Sequence, residues 1–311
     1  MALVPKVSGY SDLSSQGTTN YTPKLYAPSL LIAFYAKNIV ADIAQRDYEG
    51  QIKGMGDTVI IRTRPTITTQ KYKKGMDLNA ARQFVEPASI ELNISEAEFY
   101  SVGIDALDEK QNDINSLDEW AKDASESMGN ALDTNILNNI YTSVNSYNTG
   151  ASAGKKSGGY NIGTSGSPIT LTKSNILDYI SYCSSVLGEQ NIPETDRWMV
   201  IPEIMASRIN TSDLRSALFT GDQSNQNLRN GKMGEISNFT IYKSNNLNAV
   251  TGSTFPIMFG HKCATTFATQ LVKNRVIELQ NTFGRAMEGL QVYGYKVVKP
   301  EAMGCMYAVA G

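Results

Sequence analysis

The chain has 311 residues, with 28 Lys and Arg against 30 Asp and Glu, one His, three Cys and two Trp. A hydrophobic share of 41% rules out wholesale disorder, and the length suffices for about two compact units at ~100–200 residues each. Charged residues make up only 19%, with Ser, Thr, Asn and Gly filling the gap, and a net charge of −2 argues against a dedicated nucleic-acid binder, which needs clustered Lys and Arg.

Residues 1–28 carry few large aliphatics and read as an extended arm. From Ser29, a plausible N-cap, Leu30, Leu31, Phe34, Ile39, Val40 and Ile43 share a helical face, and the pattern fades by Gly50. A β-rich stretch, 50–112, follows the turn at Gly54 and Gly56. Residues 57–63 (DTVIIRT) are rich in β-branched side chains, and Ile90, Leu92 and Ile94 alternate with polar neighbours. Between them lies a polar, basic tip, 70–83, with Lys71, Lys73, Lys74 and Arg82 around Gly75. Two strands joined by so long a tip suggest a projecting hairpin.

Ser116-Leu-Asp-Glu119 fits a capping box. Apolar residues then recur at three- and four-residue steps from Leu117 to Val144, predicting a helix about 45 Å long within 113–148. The Gly/Ser/Asn-rich segment 149–171 reads as a flexible surface loop. Beyond it the pattern predicts helices at 173–187, 202–209 and 213–218, a strand at 197–201, a turn at Asn230-Gly231, and a strand at 236–242. A strand at 257–259, a helical stretch at 264–270 and strands at 275–280, 290–298 and 303–309 complete the chain. Helices and strands mix without strict alternation, which defines an α+β fold.

The chemistry-bearing motifs are sparse. Cys183, Cys263 and Cys305 are too few and too dispersed for a disulfide framework and suit a reducing, intracellular setting. No signal peptide opens the chain, and the longest apolar run, 30–36, is far too short to span a bilayer. Gly150-Ala-Ser152-Ala-Gly154 matches a hydrolase nucleophile elbow, with His261 as the one available base, but a helix rather than a strand leads into it. Residues 150–157 (GASAGKKS) approach a phosphate-binding loop one residue short. His261 and Cys263 form an H-x-C pair, whereas zinc takes about four ligands. The acidic group Asp105, Asp108, Glu109 and Asp113 lacks calcium-loop spacing and suits the start of the long helix. No catalytic, cofactor or metal constellation emerges.

The order of elements resembles that of tailed-phage major capsid proteins of the Hong Kong 97 type. The likeness rests on Tyr48-Glu-Gly50 through Gly56-Asp57-Thr58-Val59-Ile60-Ile61, and on Leu132, Asn135, Ile136 and Leu137 in the long helix. It continues in Asn191-Ile-Pro193 with Arg197-Trp198-Met-Val-Ile-Pro202, and in Gly234-Glu-Ile236 with Phe239-Thr-Ile241-Tyr242 and Ser244-Asn245. The last stretches are 260–270 (GHKCATTFATQ), Gly289-Leu-Gln-Val-Tyr-Gly294 and Val297-Val298-Lys-Pro300-Glu-Ala302. Where the family often carries Gly before the aromatic of the fourth stretch, this chain has Asn238, which tolerates a left-handed backbone.

The resemblance implies an N-terminal arm (1–28), an N-terminal helix (29–49) and an extended β loop with its base (50–112). It further implies a spine helix in a peripheral domain (113–148), an axial domain (172–273) and strands returning to the peripheral domain (274–311). The implied function is a coat protein that assembles through pentamers and hexamers into an icosahedral shell around double-stranded DNA, held by non-specific contact. The implied partners are other copies, a scaffolding protein, a portal and a decoration protein, in a virion assembled in the host cytoplasm. No long acidic prosegment precedes residue 25, which implies a separate scaffold or a trimmed chain. No enzyme activity, cofactor or membrane is expected. Lys71, Lys73, Lys74 and Arg82 are the expected inter-subunit contacts. The alternatives are an encapsulin-like nanocompartment shell, a serine hydrolase using Ser152 and His261, and a surface adhesin, the last disfavoured by the missing export signal.

Overall fold

The computed structural model describes residues 38–47, 58–62, 67–79, 82, 84, 89–106, 116–212 and 232–311. The expected arm, most of the first helix, the turn at Gly54 and Gly56, the residues Asp108, Glu109 and Asp113, the 213–218 helix and the Asn230-Gly231 turn lie outside them, as do the side chains of the Ser116–Glu119 capping box.

Three sheets organise the described residues. The largest has six strands in the order β4-β11-β8-β5-β7-β6. These are β4 (Ile169–Leu171), β5 (Arg197–Ile201), β6 (Lys232–Ile236), β7 (Phe239–Lys243), β8 (Phe255–His261) and β11 (Met303–Ala310). Every residue of β5 is buried, because both faces of this sheet are covered. On one face Met199 and Ile201 meet Ile180, Cys183 and Leu187 of helix α3 (Ile176–Glu189) and Met205 and Ile209 of α4 (Glu203–Asn210). On the other, Trp198 and Val200 meet Leu132, Ile136 and Ile140 of the long helix α2 (Ser116–Ile140), with Ile39 and, from the short helix α1 (Val40–Ile43), Val40 and Ile43. Arg197 is itself buried and donates to the carbonyls of Ile192, Pro193 and Ser184, fixing the turn between α3 and β5.

The second sheet has the order β3-β10-β9, from β3 (Glu96–Asp105), β9 (Thr265–Glu278) and β10 (Gly284–Val297). Its two faces do different things. Tyr293 packs toward α2 and receives a 2.6 Å hydrogen bond from Asn135 Nδ2. Val292, with Ala268, meets the third sheet, an antiparallel pair of β1 (Thr58–Arg62) and β2 (Ser89–Asn93). The alternation in β1 is strict: Val59 and Ile61 turn inward, whereas Ile60 is exposed.

One buried carboxylate ties these layers together. Asp133 of α2 accepts from the amides of Ile39 and Val40 through Oδ1, at 3.0 and 2.9 Å, and from Asn246 Nδ2 through Oδ2 at 3.0 Å. It thereby caps α1 and anchors the segment after β7. Burial pushes its pKa above the usual carboxylate range and outweighs the three donors, which act in the opposite sense.

Several expectations require correction. The stretch 149–171 is built into the core rather than being a flexible surface loop: Ala153 and Ile162 are fully buried, and Tyr307 N of β11 donates to the Ile162 carbonyl at 3.1 Å. Gly150, Gly154, Gly158 and Gly163 all take positive φ. Gly163 has φ 78°, and an added Cβ would lie 2.4 Å from the Tyr307 carbonyl oxygen. Residues 264–270 are not helical. A single 3₁₀ turn, Lys262–Ala264, leads into β9, whose Thr265 and Thr266 pair with Val297 and Lys296. The single strand expected at 236–242 is a hairpin, β6–β7, turning at Ser237 and Asn238 with φ of 49° and 66°. The long helix ends at Ile140, short of Val144, giving about 37 Å at ~1.5 Å per residue. The last strand, β11, pairs with β8 and β4 in the six-stranded sheet, and β9 runs unbroken through 273 and 274.

Candidate functional site

The motifs with catalytic potential do not converge. Ser152 is exposed in a turn between Gly150 and Gly154, both at positive φ, and Ala153 pairs with Tyr160. His261, at the end of β8, is engaged elsewhere. Its Nδ1 accepts from Cys263 N at 3.1 Å and lies 3.0 Å from Cys263 Sγ. Burial lowers the pKa of His261, with Asp196 opposing and Arg197 and Lys299 adding to the shift, which favours the neutral ring. Cys183 and Cys305 are buried, and burial pushes the Cys305 thiol up to about 12, far from a nucleophilic thiolate at neutral pH. Among the described residues no three His, Cys, Asp or Glu side chains gather as a metal site.

The phosphate-loop lookalike is filled from within. The amides of Lys156 and Ser157 both donate to Glu189 Oε2, at 2.7 and 3.1 Å. The Ser157 hydroxyl and these amides hold the Glu189 carboxyl below its ordinary pKa. Converging backbone amides favour an anion, and here the anion is a side chain from the end of α3. The local geometry thus braces the loop against the helix.

What the described residues do offer is surface. In the tip between β1 and β2, Lys71, Lys73 and Lys74 are all exposed, and Gly75 turns the chain at φ 89°. Met76 N donates to Lys73 O at 3.0 Å, Asn79 N to Asp77 Oδ1 at 2.9 Å, and Arg82 Nη2 to Asn79 Oδ1 at 3.1 Å. Arg82 is therefore held within the tip, whereas the three lysines make no ion pair among the described residues. Apolar side chains stand out between these charges: Tyr72 is 68% exposed and Phe84 88%. A monomer rarely leaves so much large apolar surface in water without a partner.

A second feature has no counterpart in the sequence patterns. On the β3-β10-β9 sheet, Phe99, Leu290 and the backbone near Gly289 line a groove of about 320 Å³. Arg275 and Glu288 wall it with a two-point ion pair, at 2.8 and 2.7 Å, and Ser101 Oγ donates to the other carboxylate oxygen at 3.3 Å. Phe99 is 76% exposed at its rim. The alternation of β3 was the available signal, but its partner strand lies far along the chain.

Comparison with known proteins bears on the fold. No protein-family model and no curated protein matches the sequence. Among solved structures, the capsid of cyanophage P-SCSP1u matches with a TM-score of 0.68 and 18% identity, covering 100% of both chains. A structure from Mycobacterium phage Che8 matches with a TM-score of 0.67 and 21% identity, over 93% of this chain and 98% of that one. The capsid of Ralstonia phage GP4 gives 0.65 and 10%, over 94% and 95%. The described residues have the mixed helix-and-sheet fold of phage capsid proteins.

Proposed function

We propose that this chain is the major coat protein of a tailed bacteriophage, assembling through pentamers and hexamers into an icosahedral shell around double-stranded DNA. The observation that carries this reading is the full-length likeness to the capsids of cyanophage P-SCSP1u and Ralstonia phage GP4. Surface chemistry agrees with it. Exposed apolar side chains on the 67–84 segment suit contacts between copies, and a near-neutral chain suits a wall that must later release its DNA. Many modest interfaces repeated by symmetry add up to a stable particle.

In this reading α2 is the spine of a peripheral domain, and residues within 172–273 surround the capsomer axis. Residues 50–112 and the arm 1–28 clasp neighbours, with Lys71, Lys73, Lys74 and Arg82 making salt bridges between subunits. A scaffolding protein, a portal and a decoration protein are the further partners. The hydrolase alternative finds no support: Nδ1 of His261 accepts the Cys263 amide, which leaves the neutral ring's proton on Nε2, and among the described residues no hydrogen bond joins His261 to Ser152.

Deletion of residues 70–83 tests the role of the tip. The variant should retain the circular dichroism and thermal transition of a folded chain yet sediment without particles. Normal particles from the deletion would sink the assignment of the tip to assembly.

A further inference from the structure

We propose that Cys263 and His261 form a reactive thiol pair, in which Cys263 accepts a mixed disulfide from an anionic low-molecular-weight disulfide with His261 as its base. The inference assigns a modification site and stands apart from the coat-protein reading.

Three observations carry it. First, the thiols differ in access. Cys183 and Cys305 are buried, whereas Cys263 is only half-buried. It sits in the Lys262–Ala264 turn between β8 and β9, which the buried Ala264 pins to the core.

Second, an imidazole faces that thiol. His261 caps the turn: its Nδ1 accepts the Cys263 amide at 3.1 Å and lies 3.0 Å from Cys263 Sγ. A ring nitrogen that accepts an amide hydrogen carries no proton itself, so the neutral ring holds its proton on Nε2. The proton between Nδ1 and Sγ is then the thiol's, and the thiol donates. Burial, with Arg197 and Lys299 against Asp196, keeps the ring neutral and able to take that proton. A thiol within hydrogen-bond reach of a neutral imidazole is the pairing that turns cysteine into a nucleophile.

Third, the local charge selects the reagent. Arg197 lies opposite His261 in the pairing of β5 with β8, and Lys299 N donates to the Ala264 carbonyl at 3.1 Å. Lys262 and Lys299 are both exposed. Cations therefore outnumber the Asp196 carboxylate about the turn and draw an anionic disulfide to it.

The step is thiol–disulfide exchange. Cys263 Sγ attacks one sulfur of RS–SR as its proton passes to His261 Nδ1. The new S–S bond forms, the reagent's S–S bond breaks, and the departing RS⁻ takes the proton back from the imidazolium. Cys263 is oxidised to the mixed disulfide, and the other half of the reagent leaves reduced as RSH.

A chromogenic, anionic aryl disulfide, applied to the purified full chain at neutral pH, counts and times the thiols. The folded chain should show a single fast thiol, absent from Cys263→Ser, with the other two reacting only in urea. His261→Asn keeps an oxygen in place of Nδ1 to accept the Cys263 amide but cannot take a proton. Its fast phase should slow about tenfold or more at an unchanged thermal transition. Oxidised glutathione should add a single glutathione to the folded chain by intact mass, at Cys263 in the peptide map. No fast thiol, no adduct, or an unchanged rate in His261→Asn would overturn the inference.

Should His261→Asn fail to fold, the unmodified chain decides. The imidazole stands beside the thiol only in the fold, so Cys263 should react faster there than in urea, and the reverse order would overturn the pairing. None of these outcomes bears on the coat-protein reading.

Discussion

Replacing Asp133 probes how the long helix is tied to the rest of the molecule. Asp133→Ala leaves three buried donors without an acceptor: the amides of Ile39 and Val40 and Nδ2 of Asn246. At about 1–3 kcal/mol for each orphaned group, the gross loss is about 3–9 kcal/mol. Removing a poorly solvated carboxylate returns part of that, so the net loss should fall near the lower end, about 3 kcal/mol. Asp133→Asn keeps an oxygen for the two backbone amides and disturbs only the contact with Asn246, costing about 1 kcal/mol. Equilibrium urea unfolding of the unassembled chain measures both, with the midpoint carrying the effect at unchanged slope. The pH dependence has a definite sign. Because burial raises the Asp133 pKa, the fold favours the protonated acid. Its contribution relative to Asp133→Asn is fullest below the ordinary value near 3.9 and is lost as pH rises through the raised one. Equal stability of the Ala and Asn variants would refute the argument that the three accepted bonds are what matters.

Two further substitutions address the corrected segment and its brace. Gly163→Ala forces a left-handed residue against the Tyr307 carbonyl and should cost about 2–4 kcal/mol. Gly158→Ala, at φ 55° with nothing within 4 Å of the added carbon, should cost only about 1 kcal/mol, and thermal melts of the pair decide. The Glu189 carboxyl is held below its ordinary pKa, so its bonds to Lys156 and Ser157 are present above the unfolded value and lost as pH falls through the folded one. The protection of the Lys156 and Ser157 amides, taken as their exchange relative to the intrinsic rate at each pH, should therefore weaken as pH falls below the ordinary glutamate range. Glu189→Gln should show weaker protection already at pH 7, and equal protection in both proteins would count against the brace.

The parts of the fold legible in the sequence were those with local causes. β5 can be read to the residue, because an apolar run sits between Pro193 and Pro202 and is buried along its whole length. The long helix follows from its three- and four-residue apolar spacing. Signals that depend on distant partners were not legible. β3 carries Glu96, Glu98 and Asp105, and its partner, residues 284–293, lies far along the chain. Residues 149–171 have the composition of a linker, yet β11 draws Ile162 and Ile169 into the core. The tight turn at Ser237 and Asn238 lies inside a run of strand-forming residues, so periodicity alone merges two strands into one. The same division holds for the functional surface. Lys71, Lys73 and Lys74 announce themselves by composition, whereas Phe99, Arg275 and Glu288 become neighbours only through the pairing of β3, β10 and β9.

Assembly into a shell is the reading proposed for this chain, and electron microscopy of the purified protein, alone and co-expressed with the products of its neighbouring genes, decides it. Uniform closed particles or rings of five and six subunits are the expected result. A monodisperse 34.0 kDa monomer under every condition would contradict it.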